Sequence, residues 1–250
     1  MLESTFIHCQ GIGAKTEQKL WSVGARTWQD YAERVESLRL SALQRSRLDS
    51  TIQESLRRLA AGDFAWFAEM LPQREHWRAL PVFRDRVAYL DIETNGGMSP
   101  SDLTLVGMYD GVEMRQFVRG VNLADFPEAM QDRALIVTFF GTGFDLPFLR
   151  RAYNMDFAQL HIDLCFLLNR LGYSGGLKQV EREFGIGRSE ETDGLSGWDA
   201  VRLWREWRRG SRSSLETLLA YNREDVLNME TLLETAWPLI LAKTLGEGPE

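Results

Sequence analysis

Four acids and a tyrosine in this chain, Asp91, Glu93, Asp145, Tyr221 and Asp225, are of the types and at the spacings that could hold divalent metal ions over a phosphodiester. The segment Arg86-Val87-Ala88-Tyr89-Leu90-Asp91-Ile92-Glu93-Thr94 reads as a buried strand. Strand side chains alternate, so Asp91 and Glu93 project from one face. Asp145 stands where the apolar run Leu135 to Phe140 passes through Gly141-Thr142-Gly143 into a helix-like Leu146-Pro147-Phe148-Leu149. Asp225 follows Tyr221 by four residues, which puts both side chains on one helix face. Acids gathered at apolar strand ends repel one another unless cations lie between them, and hard oxygen ligands select Mg²⁺ or Mn²⁺. Metal-assisted phosphate chemistry is the leading reading. Each acid taken alone has a plainer role as a helix cap or salt-bridge partner, and Asp145 could cap the helix that starts at Leu146.

Asp91-Ile92-Glu93-Thr94, Phe144-Asp145-Leu146-Pro147-Phe148-Leu149 and Tyr221 with Asp225 resemble the three motifs of the DEDDy branch of the DnaQ-like 3′ to 5′ exonucleases, whose fold is ribonuclease H-like. His161-Ile162-Asp163-Leu164, Gly176-Leu177-Lys178-Gln179-Val180-Glu181-Arg182-Glu183 and Tyr221-Asn222-Arg223-Glu224-Asp225-Val226-Leu227 look like the bacterial YprB-like group. The resemblance spans about residues 86 to 236 and implies an enzyme of known outline. Such an enzyme is a metal-dependent 3′ to 5′ exonuclease with two Mg²⁺ or Mn²⁺ ions, and its substrate is taken as single-stranded DNA with a free 3′ end. Asp91 is expected to bridge the ions, Glu93 and Asp225 to complete the ligand set, and Asp145 to act through an intervening water. Histidine-type relatives carry His five residues before the last Asp; that position is Ala220 here, and the only histidines are His8, His76 and His161. Tyr221 is therefore expected to position the attacking water, its ordinary pKa of ~10 making it a poor base. Where the second motif often has Asn-Gly before Phe-Asp, this chain has Phe140-Gly141, so stacking on Phe140 replaces a polar contact. Thr94, Phe140, Phe144, Lys178 and Lys15 are the expected substrate contacts. An exoribonuclease and a non-catalytic nucleic-acid-binding module of the same fold are the competing readings.

The composition is compatible with this chemistry. The net charge of −7 speaks against a protein that coats nucleic acid non-specifically. Five arginines between positions 202 and 212, at 202, 205, 208, 209 and 212, alternate with Trp204 and Trp207. They form either a phosphate-binding patch or the solvated face of an amphipathic helix. No apolar run approaches the ~18 residues of a membrane span, and the start of the chain lacks the basic residues of a signal peptide. Two cysteines, Cys9 and Cys165, are too few and too far apart for a disulfide framework, which points to a reducing, cytoplasmic setting.

The elements that must position these residues divide the chain. Residues 1–70 read as a helical region opening with a Gly11-Ile12-Gly13 turn like that of a helix-hairpin-helix element. With Lys15, this turn could hold a phosphate or could merely cap the main fold. Helices are expected over Ser37–Leu48 and Thr51–Ala60. Leu71-Pro72 and Leu80-Pro81 then mark a linker, residues 71–85. From 86 to 243 the pattern is an α/β domain, a ribonuclease H-like mixed sheet flanked by helices. Its strands are Arg86–Glu93, Leu103–Tyr109, Glu113–Arg119 and Leu135–Phe140, the middle two joined by a tight Asp110-Gly111 hairpin. Its helices are Asp145–Tyr153, Asp163–Leu171, Leu177–Phe184, Trp198–Arg208 and Leu215 to about Lys243, and Asp163 is expected to cap the second of them.

Overall fold

A computed structural model describes residues 1–34, 38 and 40–246 of the chain. Two compact units share it: Met1–Arg84 with Ala158–His161, and Asp85–Phe157 with the chain from Ile162 on.

The first unit is helical, with α1 (Ala14–Ser22), α2 (Trp28–Arg34), α3 (Ala42–Ala60), α4 (Phe64–Met70) and the short α5 (Leu80–Phe83). Gly13 caps α1, Gly11 takes the left-handed φ of +85°, and a single 3-10 turn, Leu2–Ser4, precedes them. The two helices expected between Ser37 and Ala60 form one continuous helix, α3. Its start is set by a capping box of Ser41 and Gln44, and residues 37 and 39 lie outside the described residues. The stretch 71–85 is folded: Gln73–Ala79 is a 3-10 segment buried from Glu75 on, and Pro81 sits in the first turn of α5, where its missing N–H costs nothing. Burying Arg78 and Glu17 is tolerable because both are fully partnered. Arg78 donates to Glu75 (2.8 Å), Glu17 (2.9 Å) and the Thr5 hydroxyl (2.9 Å), while Glu17 also accepts from the Phe6 N–H at 2.7 Å.

The second unit holds β1 (Val87–Thr94), β2 (Leu103–Tyr109), β3 (Met114–Val118), β4 (Leu135–Thr138) and the last two residues of β5 (Leu160–Asp163), and the five strands form a sheet in the order β3-β2-β1-β4-β5. β1 runs antiparallel to β2 and parallel to β4, so the sheet is mixed, as expected. The helices are α6 (Phe126–Ala129), α7 (Asp145–Tyr153), α8 (Leu164–Leu171), α9 (Leu177–Glu183), α10 (Gly197–Trp207) and α11 (Arg212–Leu245). Asp110 closes the expected hairpin by accepting the N–H groups of Val112 and Glu113. Alternation along β1 sorts its two faces. Ala88, Leu90 and Ile92 join Leu146, Phe148 and Leu149 of α7 in one core cluster. On the other face, Tyr221 and Leu218 of α11 pack with Ala200, Leu203 and Trp204 of α10 and with Leu105 of β2.

α11 approaches the sheet closely over Gly107, the residue opposite Asp91 in the β1–β2 ladder. A Cβ at Gly107 would collide with the buried Asn222 amide, which makes glycine the only fit. Gly107→Ala is expected to cost about 1–3 kcal/mol in urea unfolding by overpacking. The cost should shrink markedly in an Asn222→Ala background, whereas equal costs in the two backgrounds would show that the close approach is not what selects glycine.

Candidate metal and phosphate site

The paired segment of β1 and β4 ends at Tyr89 and Val137, and β1 continues past it to Thr94. The crevice beyond the carboxyl ends of parallel strands is where open α/β sheets gather ligands. Asp91 and Glu93 lie on this extension, and the register shifts between Glu93 and Thr94, a bulge of the kind that re-aims side chains. α11 brings Asp225 to the same place from above the sheet. One carboxylate oxygen from each of Asp91, Glu93 and Asp225 lies within 4.8 Å of the other two. Asp91 is partly exposed, while Glu93 and Asp225 are buried.

Asp145 arrives from the opposite side of β1, in the first turn of α7. Its carboxylate accepts the Ile92 N–H at 3.1 Å, occupying a ladder donor beyond the residues that β4 pairs. It is buried and stands outside the three-acid group.

The acids resist ionisation together. Burial pushes Asp91 well above the carboxylate range, and the charges of Asp225, Glu93 and Asp145 push it further; the Asn222 amide, donating to Asp91 Oδ2 at 2.9 Å, opposes this. Glu93 is raised by burial, Asp225 and Asp145, with Lys178 opposing. Asp225 is raised by burial, against the pull of Arg188 and Lys178. Burial pushes Asp145 up to about 7. Clustered oxygen donors that ionise only with difficulty are the donor set a hard divalent cation completes, because its charge inverts the local balance.

Tyr221 is buried on α11, one turn before Asp225. Lys178 Nζ donates to its hydroxyl at 2.7 Å and also to the Leu195 carbonyl. Burial and the three nearby acids raise the Tyr221 pKa, so the phenol stays neutral. Thr94 ends β1, its hydroxyl accepting the Gly96 N–H at 3.2 Å. Phe140 is exposed, and Phe144 is half-buried against the α7 core. Lys15 is exposed on α1 of the first unit. Asp163 caps α8, accepting from the Cys165 N–H, as expected. The arginines at 202, 205, 208, 209 and 212 are all exposed, whereas Trp204 is buried and Trp207 packs against it. Arg202 and Arg212 pair with acids on their own helices.

Two contributors went unassigned in the sequence. Asn222, fully buried, ties Asp91 to α11 and accepts from Gln116 at 3.0 Å; its i,i+3 spacing to Asp225 was the available signal. Arg188 follows α9 in an irregular loop. It grips Glu181 with two hydrogen bonds of 2.6 Å and Asp225 with one of 2.5 Å. No periodicity announces such a residue.

Residues 88–237 match the family described as the RNase_H superfamily. Among solved structures, the chain is similar in fold to the family B DNA polymerase from the hyperthermophilic archaeon Pyrobaculum calidifontis. The likeness has a TM-score of 0.50 and 18% identity over 64% of this chain and 25% of the polymerase, so the chain spans about a quarter of that protein's length. No curated protein sequence matches it. No helix of the described residues is long and apolar enough to cross a membrane.

The Asp145 shift has a pH signature. Unfolded, its carboxyl ionises near 3.8; folded, near about 7. Between those values the folded state holds the extra proton, so its stability falls as pH rises and levels off above about 7. His8 and His76, both held neutral by burial, tilt the parent's own curve the opposite way below pH 6.5. The readout is therefore the melting temperature of metal-free parent minus that of Asp145→Asn. This difference should decline from pH 4 to pH 7, and a flat difference would refute the assignment.

Proposed function

The chain belongs to the RNase_H superfamily, and on that premise we propose that it is a metal-dependent 3′ to 5′ exonuclease of the DEDDy type. The observation that carries this reading is the meeting of Asp91, Glu93 and Asp225 oxygens within 4.8 Å at the end of β1. The proposed substrate is single-stranded DNA with a free 3′ end. The free thiols of Cys9 and Cys165 favour a reducing, cytoplasmic setting.

In this reading Asp91, Glu93 and Asp225 hold two Mg²⁺ or Mn²⁺ ions, which when bound supply an activated water and charge stabilisation at the leaving oxygen. Asn222 holds one oxygen of Asp91, and Arg188 holds one oxygen of Asp225. Asp145, locked to the β1 backbone, acts through an intervening water. Because Tyr221 stays neutral, it serves as a hydrogen-bonding group and not as a base. With its oxygen already accepting from Lys178, the phenol proton is free to donate, which orients the attacking water or the phosphate it attacks. Water oxygen adds to phosphorus, the bond from phosphorus to the 3′ oxygen of the penultimate nucleotide breaks, and a nucleoside 5′-monophosphate leaves. The water's proton passes to solvent, and the leaving 3′ oxygen takes a proton from solvent, so the shortened strand ends in a 3′ hydroxyl.

End-labelled DNA and RNA oligonucleotides, with Mg²⁺, Mn²⁺ or chelator, test this directly. Single-stranded DNA should shorten from its 3′ end only when metal is present. Asp91→Ala should be folded and inactive; activity within a few-fold of the parent would end the two-metal assignment. Preferential shortening of RNA would change the substrate to RNA. Tyr221→Phe should slow single-turnover cleavage by about ten- to a thousand-fold with little change in substrate affinity. Equal rates, with chemistry as the slow step, would reduce Tyr221 to a packing residue.

A further inference from the structure

Residues 184–196, which join α9 to α10, contain neither helix nor strand. A connection of that length is usually functional. It is packed loosely: Thr192 is the one residue in it that is buried as a whole, and among the described residues a Cβ on Gly185, Gly187 or Gly194 would meet nothing within 4 Å. Polar contacts to α11 hold it down instead. The Ser189 N–H donates to Glu224 Oε1 at 3.2 Å, the Thr192 hydroxyl donates to the same carboxylate, and Glu191 accepts from the Thr217 hydroxyl at 3.1 Å. Glu224 and Thr217 are partly exposed, and segments anchored in this way open at low cost.

Arg188 is the exception. Its side chain is only 4% exposed, between Glu181 at 1% and Asp225 at 9%. Nε and Nη2 grip the two oxygens of Glu181 at 2.6 Å each, and Nη2 also donates to Asp225 Oδ1 at 2.5 Å. Glu181 is itself fixed to α11, accepting from the Asn228 amide at 3.0 Å. The one deeply buried anchor of the loop therefore ends on a residue of the acid cluster.

Two effects of opposite sign would act on a divalent cation at Asp225. The charge of a guanidinium repels it, whereas a hydrogen bond that orients the ligand favours it, typically by 10- to 100-fold in affinity. Glu181 decides between them. Gripped by both of its oxygens, it forms a neutral pair with Arg188, so the guanidinium reaches Asp225 as a directed donor carrying little net charge. An arginine without that carboxylate would compete with the cation; the pair prepares a ligand for it.

We propose that Arg188, its charge cancelled by Glu181, is the positioning residue of Asp225, and that this contact makes divalent-cation binding and docking of residues 184–196 one coupled event. The coupling rests on the metal reading of the site and supplies its regulation, since whatever lifts the loop from α11 also loosens the hold on the metal. Such coupling is reciprocal: by the factor that the docked loop strengthens cation binding, the cation strengthens docking.

Two measurements on the full chain, with Mn²⁺ as the probe, test this. Free Mn²⁺ counted by electron paramagnetic resonance gives affinity, and amide hydrogen exchange read by mass spectrometry gives docking of 184–196. Saturating Mn²⁺ should slow exchange across the parent's loop by about 10- to 100-fold, and Arg188→Ala should weaken Mn²⁺ binding by a matching factor. In that variant loop exchange should no longer respond to Mn²⁺, which a merely structural role does not predict. Glu181→Gln should weaken Mn²⁺ binding as well, because the guanidinium charge is then uncancelled. Mn²⁺ affinity that is unchanged or raised in either variant would overturn the proposal. So would a parent loop whose exchange ignores bound Mn²⁺, a result that needs no variant and stands even where Arg188→Ala fails to fold. The underlying reading fails differently: a parent that binds no Mn²⁺ sinks the metal site and the coupling with it, whereas Mn²⁺ bound beside an unresponsive loop keeps the site and removes only the coupling.

Discussion

Mutual repulsion among Asp91, Glu93 and Asp225 is the constraint around which the second unit is arranged. At ~4 Å and an effective dielectric of ~20, two like charges oppose each other by about 4 kcal/mol, and here three carboxylate oxygens meet within 4.8 Å in a largely buried setting. A fold meets such a cost when something recovers it, and the fixed cations nearby recover only part. Arg188 is shared with Glu181, and Lys178 is spread between Tyr221 and Leu195. The remaining negative charge is what divalent ions would neutralise.

Much of the surrounding architecture holds these acids against that repulsion. Asn222 is buried against Gly107 so that its amide can reach Asp91, and Gln116 on the neighbouring strand fixes the amide in turn. The loop after α9 is pinned at several points: Arg188 to Asp225, Ser189 and Thr192 to Glu224, and Leu195 to Lys178. Each of these contacts ends on α11 or on Lys178, which itself holds Tyr221. Asp225 and Tyr221 are therefore positioned by one helix and one loop, and a shift in either moves both.

The acids that meet at the end of β1 could be picked out in sequence because each obeys a local rule. Alternation put Asp91 and Glu93 together, helical spacing put Tyr221 with Asp225, and a glycine turn after an apolar run flagged Asp145. What was not legible depends on contacts between distant segments. Arg188 acquires its role only when the loop folds back on α11, and Gly107 only because Asn222 lies above it. The strand β5 is four residues long, too short for a periodicity, so no strand is expected over His161-Ile162-Asp163. The expected helices Ser37–Leu48 and Thr51–Ala60 leave Asp49 and Ser50 between them, where α3 runs on; the Ser50 hydroxyl bonds back to the Arg47 carbonyl, and Asp49 accepts from the Tyr31 hydroxyl. A polar pair that breaks an isolated helix is accommodated once neighbours and the helix's own carbonyls satisfy it.

The central claim, that the acids at the end of β1 exist to hold divalent cations, is tested most directly by diffraction from crystals soaked in Mn²⁺, using its anomalous signal. The account predicts two peaks about 3.5–4 Å apart, both in contact with Asp91 and flanked by Glu93 and Asp225. An empty cluster at saturating Mn²⁺, with the three carboxylates unmoved, would contradict it.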